Sequence, residues 1–302
     1  MTVAITGGTG FVGQALIDLA GAQGVSLRAL ARKRQVPCEG VEWVPGDLGN
    51  RKALTRLVTG AEAVIHVAGV VNTPDPAEFE AGNVTGTLNV IEAALAAGVP
   101  RLVFVSSLSA REPLLSRYGT SKARAEKLVR ASSLDWTIVR PPAIYGPRDK
   151  DMFELFRAAK WGVVPVPKEG RASLIHVDDL ARLLLALVPG GEAVTHRSFE
   201  PDDGKRGGWA HHDMARAIGW AMGRRPAVLG LSPAMLHRAA RLSEKLLGKR
   251  AKLTLDRAGY MSHPDWAVSE GARVPRAVWQ PRIETRSGLK ATAAWYREAG
   301  WL

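Results

Sequence analysis

The 302-residue chain contains a single cysteine, Cys38. An internal disulfide is therefore excluded, and a reducing, cytoplasmic compartment is the expectation. No apolar run approaches the roughly 18–20 residues that a membrane span needs. The chain opens on a short apolar stretch and then glycines, without the basic start and long apolar segment of a secretory signal. No internal repeat is evident, and a hydrophobic fraction of 46% with 23% charged residues excludes a disordered or low-complexity chain. Negative charge is in short supply: 29 acidic residues against 41 basic leave a net +12. Such an excess invites nucleic acid, an anionic membrane surface or a phosphorylated ligand. It is unevenly placed. Residues 1–150 carry 17 basic and 13 acidic side chains, residues 151–302 carry 24 and 16, and nine of the basic ones fall within 221–260.

What is present is alternation. Strand-like segments at 3–6, 26–31, 63–67, 102–106 and 136–140 are separated by helical spacing at 12–22, 52–59, 83–97 and 121–132. Several of the strands are almost wholly apolar, as parallel strands covered on both faces should be. The pattern predicts an α/β fold, a doubly wound parallel sheet with right-handed crossovers. After Pro141 and Pro142 the pattern loosens, and seven of nine tryptophans lie beyond residue 160. Helical spacing returns at 177–188 and 233–248. The expected division is a dinucleotide-binding domain over 1–150 with 173–190 returning to it, and a smaller mixed substrate lobe over 151–172 and 191–302.

The stretch Thr6-Gly-Gly-Thr-Gly-Phe-Val-Gly13 follows the first strand and opens the first helix. Glycines there permit a tight turn and let the backbone approach a pyrophosphate, whose charge rests on the helix N-terminus. Strand before, helix after and a βαβ continuation make this a dinucleotide-binding signal rather than a bare glycine turn. About 20 residues on, an acid would hold the ribose 2′-hydroxyl of NAD. Instead the second strand ends in Arg32-Lys33-Arg34. Arginine can clamp a 2′-phosphate with two hydrogen bonds, so NADP(H) is preferred, with NAD(H) and a merely solvated basic strand end as alternatives.

With these residues in view, the chain resembles the extended short-chain dehydrogenase/reductase superfamily, in its NAD(P)-dependent epimerase/dehydratase and dihydroflavonol-reductase-like branch. The landmarks run in order: the glycine loop, Gly46-Asp47-Leu48, His66-Val-Ala-Gly69, Asn83 to Val90, Val105-Ser-Ser-Leu108, Tyr118-Gly-Thr-Ser-Lys122, Arg140 to Pro147, and Ile175 to Leu180. They cover residues 1–190 well. The C-terminal segment from Gly288 is similar to the closing helix of reductase-type members, while about 195–280 carries none of the family's landmarks. The resemblance implies a Rossmann domain holding the cofactor through Gly7, Gly10, Phe11, Val12, Gly13, Arg32, Lys33, Asp47, Leu48, Ala68, Gly69, Lys122, Pro141 and Ile144.

Tyr118 and Lys122 stand four apart at a helix start and share one face. In isolation such a spacing is also a plain surface pair. A phenol with a reference pKa near 10 needs a neighbouring cation to exchange protons at pH 7. In the family pattern the tyrosine moves the proton while hydride passes between nicotinamide and substrate, and the lysine holds the nicotinamide ribose. Ser107 would hydrogen-bond the substrate oxygen, with Ser106 as its rival.

The implied function is an NADP(H)-dependent oxidoreductase acting on a carbonyl or secondary alcohol of a mid-sized, apolar substrate. The alternatives are a nucleotide-sugar epimerase or dehydratase with bound NAD, and a non-catalytic NADPH-binding subunit resembling the complex I accessory subunit. Other candidates receive plainer readings. His211-His-Asp213 reads as a loop and N-cap rather than a metal site, and His176 as structural. Cys38 reads as inert and Arg140 as an anchor of the strand-to-lobe turn. In the helix at 233–248, Leu236, Ala239, Ala240, Leu242, Leu246 and Leu247 fall near one face, with Arg238, Arg241, Lys245 and Lys249 largely off it. The plain reading packs that face on the lobe. The sharper one lays 233–252 on an anionic membrane, peripheral to its inner face. Nucleic acid is not expected, since no nucleic-acid module appears; a homodimer is common among relatives.

Overall fold

Short runs of valine, isoleucine, leucine and alanine form the strands β1 (Thr2–Thr6), β2 (Ser26–Ala31), β3 (Val41–Pro45), β4 (Ala63–His66), β5 (Arg101–Val105) and β6 (Asp135–Val139). With an edge strand, Arg197–Phe199, they make a seven-stranded sheet in the order edge–β6–β5–β4–β1–β2–β3. Every pairing in it is parallel. β4 and β5 are buried at every position, so neither shows the alternation of a half-exposed strand. The sequence pattern does not single out β3. Only Val44 on it is buried, and Glu42 interrupts its apolar residues.

The computed structural model describes residues 2–248 and 251–302. It falls into two units, the first comprising residues 1–140, 180–199 and 274–279. In this first unit α1 (Phe11–Ala22), α2 (Arg51–Val58), α3 (Gly86–Ala96) and α4 (Arg117–Ala131) are the principal helices. Leu54, Leu57, Val90, Ile91, Val129 and Trp136 meet Val64, Leu102, Phe104 and Ile138 in one core. Each such side chain, fully buried, contributes about 1.5–3 kcal/mol. Helix α4 starts four residues before the expected 121, because the Ser116 hydroxyl caps it by accepting from Gly119 N. The helix expected over 83–97 opens instead as a π-turn, Glu80–Thr85, before settling into α3.

β1 pairs with β2 on one side and β4 on the other. The strand order reverses there, and ligands of open α/β sheets sit beyond the strand ends at such a point. Because all strands are parallel, the segments after β1, β2, β4 and β5 emerge along one edge of the sheet.

The second unit comprises 141–179, 200–273 and 280–302. It holds a two-stranded parallel sheet of β7 (Val163–Pro167) and β8 (Ala227–Leu231). Its main helices are α5 (His211–Ala221), α6 (Pro233–Leu247) and α7 (Thr285–Glu298). Tyr145, Phe156, Met214, Ile218, Leu289 and Tyr296 anchor its core. Gly288 on α7 leaves room for Tyr145, whose hydroxyl oxygen would be 2.6 Å from a Cβ at that position.

Two expectations are corrected in this unit. His211 begins α5 rather than preceding it as a loop, with Ala210 at the N-cap. On α6 only Leu236 and Ala240 are buried, while Leu242, Leu246 and Leu247 are exposed, so the leucines do not share one packed face. Lys249 and Arg250, part of the basic run, lie outside the described residues.

Candidate active site

The first turn of α1 is built to receive an anion. Its N-cap is Gly10, which has no side chain to satisfy the free N–H groups, and no acid stands in the turn. Gly10 N donates to the Gly7 carbonyl at 2.9 Å, closing the turn that leads in. A Cβ at Gly13 would collide with that same carbonyl oxygen, so only glycine lets loop and helix approach so closely. Gly7 lies at φ 76°, and a Cβ there would stand 2.7 Å from Ala68 N. The loop after β1 is thus pressed against the segment after β4. These features fit a dinucleotide pyrophosphate on the helix N-terminus.

A buried hydrogen-bond chain fixes that contact. Ala68 N donates to Thr6 Oγ1 at 3.2 Å, and Thr6 Oγ1 lies 2.6 Å from His66 Nδ1. His66 Nε2 is 3.0 Å from Thr87 Oγ1, which donates to the Asn83 carbonyl at 2.6 Å. Since the Thr87 proton is committed to Asn83, the imidazole must donate from Nε2 and accept at Nδ1 from the Thr6 hydroxyl. Burial, aided by the Lys122 charge, pushes His66 down to about 3. It is a neutral structural link.

Arg32 and Lys33 follow β2 directly and are exposed. Their neighbour Arg28 is occupied, donating to Glu42 at 2.8 Å and to the Thr59 carbonyl at 2.6 Å. Arg32 has no ion-pair partner among the described residues. Asp47, after β3, holds its own turn by accepting from Gly49 N at 2.9 Å. Leu48 packs against the core beside Gly86, its carbonyl held by Asn89 Nδ2 at 2.8 Å. Phe11 is half-buried and Val12 buried at the start of α1. Pro141 and Ile144 belong to the second unit, where Ile144 pairs with Ile175. His176, in the same unit, is buried with its ring edge-on to Tyr145 and its Nδ1 accepting from Asp178 N. Cys38 is exposed.

Helix α4 carries a stripe at four-residue spacing: Tyr118, Lys122, Glu126 and Arg130. Lys122 is buried, with Nζ donating to the Val105 carbonyl at 2.8 Å and lying 4.7 Å from the Phe104 ring centroid. That carbonyl ends β5, immediately before Ser106 and Ser107. Burial lowers the Lys122 ammonium to about 8, against the opposing pull of the Glu126 carboxylate. Asn83, in the π-turn, donates to Ser121 Oγ at 2.8 Å and to the Val70 carbonyl at 2.9 Å, and accepts from Val70 N at 2.7 Å. A Cβ at Gly69 would lie 2.9 Å from Asn83 Oδ1 and 3.6 Å from Lys122 Nζ. The segment after β4 therefore borders the lysine. Tyr118 is half-buried, its ring 6.2 Å from that of Phe79.

The two serines differ in availability. Ser106 is buried and donates to Glu126 Oε1 at 2.6 Å. Ser107 is partly exposed, and its oxygen accepts from Ser109 N at 3.2 Å, leaving its own proton to donate elsewhere.

Glu126 is the residue that sequence reasoning missed. Arg140 reaches it in a two-pronged pair, Nε to Oε1 at 2.8 Å and Nη2 to Oε2 at 2.7 Å, and Arg130 adds a third contact at 2.9 Å. Burial works to raise its pKa, but Arg140, Ser106 and Arg130 together outweigh it and hold the carboxyl below its usual range. The signal was available: Lys122, Glu126 and Arg130 repeat at i+4, on the helix face already marked by the tyrosine.

Known proteins are similar to this chain in sequence and fold. Residues 3–199 match the NAD dependent epimerase/dehydratase family. A ceramide reductase of Caulobacter vibrioides is 38% identical over 99% of this chain and 96% of its own length. The 2-alkyl-3-oxoalkanoate reductase of Stenotrophomonas maltophilia is 27% identical over 97% and 99%. Among solved structures, gox2253 superposes with a TM-score of 0.79 at 26% identity, covering 99% of this chain and 98% of that one. MoeE5 in complex with UDP-glucuronic acid and NAD superposes with a TM-score of 0.76 at 22% identity over 99% and 100%, a likeness of fold. The chain belongs to the NAD-dependent epimerase/dehydratase family of the extended short-chain dehydrogenases/reductases, and is an NAD(P)-dependent oxidoreductase.

Proposed function

We propose that the protein is an NADP(H)-dependent reductase/dehydrogenase, interconverting a ketone and a secondary alcohol on an apolar, lipid-like substrate. The observation that supports this is Lys122, one helical turn after Tyr118 on α4, whose buried Nζ donates to the Val105 carbonyl at the end of β5, two residues before Ser107. The first unit serves as the cofactor domain and the second as the substrate lobe. The bound nicotinamide supplies or accepts the hydride. In the reducing direction Tyr118 gives its phenolic proton to the carbonyl oxygen as the carbon gains hydride. Ser107 donates its free proton to the same oxygen, stabilising the charge that develops there. Lys122, with a pKa near 8, is an ammonium over most of the neutral range and stabilises the phenolate that remains. One of its N–H bonds is taken by Val105, leaving the others for the nicotinamide ribose hydroxyls.

Arg32 and Lys33 favour the 2′-phosphate of NADP over NAD. The two full-length relatives named above are reductases whose names denote a lipid and an alkyl-chain keto acid, which supports the substrate class. The basic strand end counts against retained NAD, and so against nucleotide-sugar epimerisation. Peripheral contact with an anionic membrane belongs to the same reading, since such a substrate resides there.

The test is oxidation of NADPH and NADH with long-chain ketones and with UDP-hexoses, for the wild type and Tyr118→Phe. Turnover of the ketones with NADPH is expected, falling about 100- to 10,000-fold in the variant while NADPH affinity holds. Full turnover by Tyr118→Phe, or activity confined to nucleotide sugars, would refute the assignment.

A further inference from the structure

Helix α6 carries two apolar stripes, and only one of them is covered. Leu236 and Ala240 face inward, where they meet Ala258, with Leu231 and Leu253 beside them. Met235, Ala239, Leu242 and Leu246, at i, i+4, i+7 and i+11, form a second stripe that faces water; Leu242 is 57% and Leu246 71% exposed. Arg238, Arg241 and Lys245 are exposed along one flank of that stripe. A helix that needs only to pack on its domain gains nothing from a second row of leucines and methionine in water.

The sheet preceding α6 repeats the theme. In the register of β7 with β8, Val163 stands opposite Ala227 and Pro165 opposite Leu229. All four are exposed, while Val164 and Val166 between them are buried. Trp161, just before β7, is 80% exposed. Arg224 and Arg225, just before β8, and Lys160 are exposed as well. Strand β8 runs into α6 through Ser232, whose hydroxyl caps the helix by accepting from Met235 N. Two consecutive elements of the second unit thus present apolar side chains to solvent with cations at their margins; the acid of α6, Glu244, is partly buried and accepts from Leu255 N at 2.8 Å.

We infer that the exposed face of α6, together with the outer face of the β7–β8 sheet, is a docking surface for an anionic lipid bilayer. The leucines, Met235 and Trp161 enter the interface, and Arg238, Arg241, Lys245, Arg224 and Arg225 meet the phosphates. Charge decides the occupant. A second copy would bring the same cations to a shared interface and repel, whereas an anionic leaflet attracts each nearby cation. A Trp beside leucines and flanked by basic residues also suits the boundary between headgroup and acyl chain. The inference deepens the membrane contact placed under the proposed function, by assigning it to particular side chains. It is measured without turnover, so its failure would leave hydride transfer intact.

The experiment is flotation of the full chain, saturated with NADPH, on phosphatidylcholine vesicles with and without about one-third phosphatidylglycerol. Binding is expected with the anionic vesicles at low salt, and loss of most of it near 1 M salt. Attraction of each basic residue is worth about fivefold in partitioning, so Arg238→Gln/Arg241→Gln/Lys245→Gln should weaken binding roughly 100-fold. Leu242→Ser/Leu246→Ser should weaken it at least about tenfold. Both variants alter exposed residues, so unchanged melting and NADPH affinity serve as the folding control. Equal binding to neutral vesicles, no binding at low salt, or variants that float like the wild type would each overturn the inference. So would retention on polyaspartate without vesicle binding, which would mark a protein partner. Concentration-dependent dimers in sedimentation that Leu242→Ser/Leu246→Ser abolishes, again without vesicle binding, would overturn it too.

Discussion

Glu126→Gln should damage stability and catalysis together, through separable physical effects. The carboxylate is buried, with the Arg140 side chain 19% exposed and Arg130 37% exposed. Removing one partner of a buried ion pair typically costs about 3–5 kcal/mol, because the other charge loses its compensation. Arg140 can regain some water, so the lower end applies, about 3 kcal/mol. At roughly 2–4 °C per kcal/mol for a domain of this size, the melting midpoint should fall by about 6–12 °C. Glutamine keeps the shape and can still accept from Ser106, so the loss reports the charge rather than a cavity. The double variant Glu126→Gln/Arg140→Gln should recover part of the loss, since both charges leave together. The second effect is electrostatic. Glu126 raises the ammonium pKa of Lys122 against burial, so its neutralisation lets that pKa fall below about 8. The alkaline limb of the kcat profile should then move toward lower pH. Urea unfolding at pH 7 and a pH series on the folded fraction measure the two separately. A stability loss under about 1 kcal/mol, or an alkaline limb that stays in place, would refute the placement of Glu126 between structure and site.

Other outcomes follow from the same geometry. Arg32→Ala should raise the NADPH Michaelis constant about 10- to 100-fold and leave that for NADH unchanged, the worth of a charge-assisted pair; equal effects on both cofactors would remove the 2′-phosphate role. Ser107→Ala should cut kcat about 100-fold with little change in melting. Ser106→Ala should instead cost about 1–3 kcal/mol of stability by depriving Glu126 of a donor, and the opposite pattern would exchange the two serines. His66, held near 3 in the folded protein, takes up a proton first in the unfolded chain, whose histidines titrate near 6.5. Its share of stability is present above about 6.5 and is lost as pH falls, roughly 2 kcal/mol between pH 6.5 and 5. His176 and His211 are lowered by burial as well. The His66 share is therefore the difference in slope between wild type and His66→Asn, and equal slopes would contradict the neutral hydrogen-bond chain.

Strand–helix alternation and the glycine loop were legible in the sequence because each is a local pattern. A buried parallel strand reads as a run of apolar residues, and Gly13 reads as a glycine whether or not the carbonyl it admits is known. β3 escaped because it has one buried residue and a glutamate second in the strand. The onset of α4 escaped because its cap is Ser116, which sits among loop residues and gains meaning only from the Gly119 N–H it accepts. Tyr118 and Lys122 were readable as a pair through spacing. Glu126 continues that spacing, but its buried pairing was not readable, since Ser106 lies at the end of β5 and Arg140 fourteen residues on. On α6 the periodicity was correct and the burial was not. Two apolar stripes roughly a third of a turn apart blur into one broad face when only the sequence is counted, and only the fold shows which is covered.

If Tyr118 and Lys122 act as proposed, the stripe on α4 couples catalysis to stability. A lysine buried to this depth drifts toward its neutral form, in which it can no longer stabilise a phenolate. Two features oppose the drift. The Val105 carbonyl accepts from the ammonium, and Glu126 supplies a negative charge one turn away. Glu126 can keep that charge inside the protein only because Arg140, Arg130 and Ser106 solvate it. The proton on Lys122 is thus sustained by side chains that meet Glu126 rather than the ammonium. Arg140 stands at the end of β6, and the same guanidinium that fixes that strand end to α4 also sustains the charge beneath the site. A substitution that loosens β6 should therefore register in the pH profile before it registers as unfolding.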